Sequence, residues 1–154
     1  MRNGLTKLII GMAITAAGAF AADNSLGTWK LNMEKSKFTP AAPVKNLTST
    51  REASDGGVKV TLTGELANGT AMNSGYTPKY DGKDYPVTGA AFDTIAVKQV
   101  NTNTFTTKLK NTGTKYSTTG RTVISKDGKT MTNTMKGTDA EGKPISYTMV
   151  FEKQ

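Results

Sequence analysis

From residue 45 onward, short runs of alternating apolar and polar residues are cut by turn-forming pairs, at the roughly 8–12-residue spacing of an all-β sandwich or barrel. The turns are Ser54-Asp55-Gly56-Gly57, Asn68-Gly69, Asp81-Gly82-Lys83, Asn101-Thr102-Asn103, Asn111-Thr112-Gly113, Lys126-Asp127-Gly128-Lys129 and Thr138 to Gly142. Several set Asn or Asp before Gly, the pair that tolerates the positive φ angles of tight hairpins. Hairpins in series pair each strand with its sequence neighbour, which makes an antiparallel meander.

Between the turns the side chains alternate with period two. Val58, Val60 and Leu62 share one face; so do Phe105, Thr107 and Leu109, then Met131, Asn133 and Met135, then Ile145, Tyr147, Met149 and Phe151. The opposite faces carry Thr, Lys and Ser, as in a sheet with one wet side. Threonine supplies 24 of residues 22–154, and its stiff β-branch suits a pleated, half-buried surface better than a helix. A meander this long curls and closes, so the expected fold is all-β: an antiparallel up-and-down β-barrel of about 8–10 strands. Two local exceptions are expected: one helical turn over Asn32 to Ser36, and an extended loop over Thr39-Pro40-Ala41-Ala42-Pro43.

The first residues have the three parts of a secretory signal peptide. Arg2 and Lys7 are the positive start, Leu8 to Gly18 the apolar stretch, and Ala19-Phe20-Ala21 the small-x-small cleavage signature. The apolar stretch is well short of the roughly 20 residues that span a bilayer. The expected organisation is a signal peptide at 1–21 and a single barrel domain at 22–154, exported to the periplasm or secreted. The domain has no transmembrane segment. Cysteine is absent, so no disulfide and no cysteine-linked lipid is expected.

Residues 22–154 carry 18 Lys and Arg against 12 Asp and Glu, a charge of +6, and only Arg51 and Arg121 are arginine. Lysines spread singly along a chain describe a solvated surface that also blunts sheet edges. Nucleic-acid binding calls for clustered arginine with exposed aromatics, a pattern missing here, so no nucleic-acid partner is expected. An outer-membrane barrel would need an apolar band facing lipid on every strand, where this chain has Thr and Lys.

With neither His nor Cys, the chain has no Ser–His or Cys–His nucleophile and none of the usual ligands for zinc, copper or haem. Neither a metal nor a cofactor is expected, and no catalytic residue is assigned; the chain reads as a non-enzyme. Gly137 to Pro144 approaches a phosphate-loop spacing, but Pro144 stands where the magnesium-binding hydroxyl belongs, and the flanks read as strands rather than strand and helix.

The opening Gly27-Thr28-Trp29-Lys30-Leu31 resembles the Gly-x-Trp start of the lipocalins and fatty-acid-binding proteins, the calycin-type barrels. Met135-Lys136-Gly137 and Val150-Phe151-Glu152-Lys153 resemble the closing strands of the second group. The chain also resembles uncharacterised exported bacterial proteins with the same Gly-Thr-Trp-Lys-Leu-Asn opening and a Tyr80-Asp81-Gly82-Lys83-Asp84-Tyr85-Pro86-Val87 hairpin. The calycin resemblance implies a barrel that holds a small ligand inside. Fatty-acid-binding proteins close with an Arg-x-Tyr pair that grips a carboxylate, and Met149 and Phe151 stand at those positions here. The implied ligand is therefore small, hydrophobic and uncharged, with Trp29, Phe105, Tyr147, Met149 and Phe151 as its expected contacts. The alternative is a packed barrel acting as an envelope interaction or structural protein, which an exposed patch of Tyr76, Tyr80 and Tyr85 on one rim would favour.

Overall fold

A computed structural model describes residues 22–154; the expected signal peptide at 1–21 lies outside the described residues. Ten strands follow one another: β1 (Gly27–Thr39), β2 (Val44–Ser54), β3 (Gly57–Leu66), β4 (Ala71–Tyr76), β5 (Asp81–Thr88), β6 (Thr94–Asn101), β7 (Thr104–Lys110), β8 (Ser117–Ile124), β9 (Thr130–Thr138) and β10 (Pro144–Lys153). Each pairs antiparallel with its sequence neighbours, and β1 pairs with β10 to close the ring. The expected up-and-down barrel is the observed one, at the upper end of the expected strand count.

The inward faces follow the period-two reading. Val58, Val60, Phe105, Met131, Met135, Ile145 and Phe151 are buried, while their strand neighbours Lys59, Lys136 and Thr134 are exposed. Each apolar side chain of this size moved out of water contributes roughly 1.5–3 kcal/mol, and the exposed residues between them keep the outer wall wet.

Two local expectations are corrected. Asn32 to Ser36 makes no helical turn: β1 runs through it with a bulge, its register against β10 shifting between Asn32 and Lys37. Lys35 N donates to Asn32 Oδ1 (3.1 Å) and Ser36 Oγ to Asn32 O (2.6 Å). These contacts span three and four residues, a helical spacing, but they fold an extra loop of strand. Ser36 Oγ then accepts from Val150 N at 2.9 Å, tying the bulge back to β10.

Likewise Asp81-Gly82-Lys83 is not a hairpin turn but a bulge inside β5. Gly82 takes φ +75°, and Asp81 Oδ1 accepts from Lys83 N at 2.9 Å. This is turn chemistry without a reversal. The reversal into β5 comes earlier, over Thr77 to Tyr80, and the next one, Gly89 to Asp93, is a connection the turn pairs did not mark.

The ladder is uneven. β2 and β3 pair along ten positions, whereas β4 and β5 pair only at Gly75–Thr88 and Tyr76–Val87.

Candidate ligand-binding site

The two ends of the barrel differ. At the first, Trp29 (0 % exposed), Phe105 and Val58 (1 % each) form a plug, with Phe151, Met131 and Ile124 around them. The segment before β1 lies across this end. Trp29 Nε1 donates to Ser25 O at 2.8 Å, and Asp23 accepts from Ser25 N at 2.8 Å and from the Tyr80 hydroxyl. The Tyr80 ring packs on Phe105 with centroids 5.1 Å apart, and Arg51 Nε donates to Ser25 Oγ at 3.3 Å. This end is sealed.

At the other end several inward side chains are only half buried, Phe38, Met72, Leu109, Tyr147 and Met149 among them, beside buried ones such as Ile95 and Ile145. About eight strands already give an interior that side chains just fill; ten strands enclose more. An arc of rings lines this mouth. Phe38 meets Tyr147 at 6.0 Å, Phe92 stacks on Tyr116 at 6.0 Å, and Tyr76 meets Phe92 edge-on at 6.5 Å. Phe92 sits in the loop after β5, and its neighbour Asp93 fixes that loop. Asp93 accepts from Thr112 Oγ1 (2.5 Å) and Thr94 Oγ1 (2.9 Å), and Asn111 Nδ2 donates to Ala91 O (3.0 Å). The Thr112 hydroxyl holds the Asp93 carboxyl below its ordinary range.

The interior also contains polar atoms. Ser49 (2 % exposed), Ser74 (1 %) and Thr118 (1 %) are buried. Ser49 Oγ, Ser74 Oγ, Thr118 Oγ1 and Asn133 Oδ1 have no hydrogen-bond partner among the described residues. An acceptor or donor left in that condition costs about 1–3 kcal/mol.

The five expected contact residues are divided between the two ends. Trp29, Phe105 and Phe151 belong to the sealed plug, while Tyr147 and Met149 lie on the half-buried inward face of β10. The three candidate rim tyrosines separate as well. Tyr80 is tucked against the plug, Tyr76 turns inward onto Phe92, and Tyr85 gives its hydroxyl to Asp81 Oδ2 at 2.6 Å. No shared patch results from them. Phe38, Phe92 and Tyr116 were missed because they sit beside a bulge, in a loop and at a strand edge, where alternation carries no information. Ser74 was findable: Met72, Ser74 and Tyr76 share one face, and a serine between them breaks an apolar row.

All five tyrosines resist ionisation. Burial raises Tyr76, Tyr116 and Tyr80, with Asp23 pushing Tyr80 up further. Tyr147 is pushed up to about 12, chiefly by burial, and the Asp81 carboxylate raises Tyr85. Above pH of about 10 an unfolded tyrosine loses its proton, whereas these keep theirs in the fold. The folded state then holds more protons, and stability falls as pH rises. Each of Tyr76 and Tyr116 contributes up to about 1.4 kcal/mol of loss per pH unit in that window. Urea midpoints from pH 8 to 12 should be flat up to about 10 and then drop; a midpoint unchanged at pH 12 would contradict the raised values.

Two grooves mark the outer wall. One, of about 310 Å³, follows the β3–β5 region past Lys59, Thr61, Thr77 and Pro86. The other, of about 500 Å³, crosses β8 and β9 past Thr119, Arg121, Val123 and Thr132. Both are open and lined largely by outward-facing side chains. Among the described residues no cluster of His, Cys, Asp and Glu is placed to hold a metal ion, and no helix is long and apolar enough to cross a membrane. Comparison with protein-family models and with curated proteins finds no match for the chain.

Proposed function

We propose that this barrel is an exported carrier, not a catalyst, and that it takes a small, uncharged, mainly apolar ligand through the aromatic mouth. The observation that carries this reading is the contrast between the ends. Trp29 and Phe105 seal one, while Phe38, Tyr147 and Met149 leave apolar inward surface half buried at the other. Apolar walls with a few convergent polar groups are the usual make-up of a small-molecule site. The inward residues near the mouth (Leu62, Met72, Leu109, Met135, Tyr147) include no charged side chain, which supports a neutral ligand.

The test uses N-phenyl-1-naphthylamine, a neutral dye that brightens in apolar surroundings and quenches tryptophan by energy transfer. Saturable binding with loss of Trp29 emission is the expected result. Phe38→Ala and Tyr147→Ala should each weaken it about tenfold, the loss of one well-placed aromatic contact. Absence of saturable binding would overturn the proposal. The closely packed plug favours a second reading in that case, a filled barrel that works through its Lys- and Thr-rich outer wall.

A further inference from the structure

Resting on that carrier reading, we infer that the ligand is a flat ring compound with hydrogen-bonding groups, hydroxyl or keto, at opposite ends. Ser49, Ser74, Thr118 and Asn133 are the residues that read them. The four unpartnered atoms are not scattered. Ser49 and Ser74 flank Leu62 on the inner face of β2, β3 and β4, paired across it in register (Ser49–Leu62–Ser74). Thr118 and Asn133 belong to the adjacent strands β8 and β9. In the closed ring, three strands separate these walls on one side and two on the other, so the two sets lie on facing walls.

A hydrocarbon chain would leave all four atoms unsatisfied. A single polar head would serve one wall only. A molecule with polar groups at both ends and an apolar ring between them serves both, and its ring matches the stacked Phe92–Tyr116 and tilted Phe38–Tyr147 pairs beside Thr118. Three of the four readers are Ser or Thr, whose hydroxyls donate as well as accept; they suit hydroxyl and keto groups alike, and none supplies the cation a carboxylate requires.

The experiment compares naphthalene, 2-naphthol and 2,6-dihydroxynaphthalene, which share one skeleton and carry zero, one and two hydroxyls. All three are neutral at pH 7 and are followed by their own fluorescence. Affinity should rise about fivefold per hydroxyl, the worth of one neutral hydrogen bond. Ser74→Ala should cancel one step and the double variant Ser74→Ala/Thr118→Val both, with naphthalene itself bound no more weakly. Removing an unpartnered hydroxyl relieves rather than strains a fold, so these variants should fold, as circular dichroism will check. If the three compounds bind alike, or the hydroxyl gain survives in the double variant, the assignment is overturned while the carrier reading stands. If none of the three saturates, the carrier reading fails and the assignment with it.

Discussion

Trp29→Ala should be the most damaging single truncation in this chain, costing about 3–5 kcal/mol of stability. The side chain is wholly buried, so its loss removes a large apolar contact and leaves a void that the surrounding strands cannot collapse around. A second loss comes with it: Trp29 Nε1 is the partner of Ser25 O, and without it the segment across the sealed end keeps Asp23–Tyr80 but loses its central tie. Lys153 Nζ, 5.4 Å from the indole centroid, would lose its ring as well. Trp29→Phe separates these terms, since it keeps most of the packing and drops the hydrogen bond; about 1–3 kcal/mol is expected for the orphaned carbonyl. Urea denaturation followed by circular dichroism measures both, and equal costs for the two variants would show that the hydrogen bond, not the volume, is what counts.

Gly120→Ala comes second, for an opposite reason. A Cβ placed on Gly120 would lie 1.9 Å from Thr134 O and 2.6 Å from Met135 Sδ. A methionine tip can move, but a carbonyl in the β8–β9 ladder cannot move without parting the strands. The variant should lose about 3 kcal/mol or more, at or beyond the usual range for an overfilled site. Gly75→Ala is the control. Its added Cβ meets only Val60 O at an ordinary 3.8 Å, and it should be neutral or stabilise by about 0.4–1 kcal/mol through the unfolded chain. A Gly120→Ala protein as stable as Gly75→Ala would mean that β8 and β9 can separate freely at that point.

The barrel was legible because its signal is repeated. The strands β3, β7, β9 and β10 restate the same alternation, and one misread turn does not disturb the rest. What failed were places where a local motif fits two geometries. Asp81-Gly82-Lys83 makes the same Asx contact and the same left-handed glycine in a bulge as in a hairpin, and only pairing with β6 tells them apart. Asn32 and Ser36 bond at helical spacing inside a strand. The candidate site was half legible. Period two put Tyr147 and Met149 on the inner face, but how far along the barrel axis a residue sits depends on register, and register depends on the bulges. Hence Trp29, Phe105 and Phe151, inward like the others, turn out to serve the plug. Asn133 was already on the inner face by alternation; that its carbonyl lacks a partner is a property of three-dimensional neighbours alone.

The short β4–β5 ladder has a consequence of a different kind. Closure into a ring is the usual way to abolish sheet edges, yet two paired positions leave most of β4 and β5 with backbone groups facing no strand. In effect the ring keeps a concealed edge that another extended chain could join. The sequence there is built against such joining. Val87 N is committed to Asp93 O, so alternation along the strand turns the nitrogen of Pro86 toward β4, where it offers no donor. The connection through the buried Pro78 and through Lys79 is held against Gly56 to Val58, and the exposed Lys83 lies on β5 itself. Pro86 and Lys83 thus guard one seam of a closed barrel as they would the margin of an open sheet, and disfavour pairing of this disulfide-free chain with its own copies.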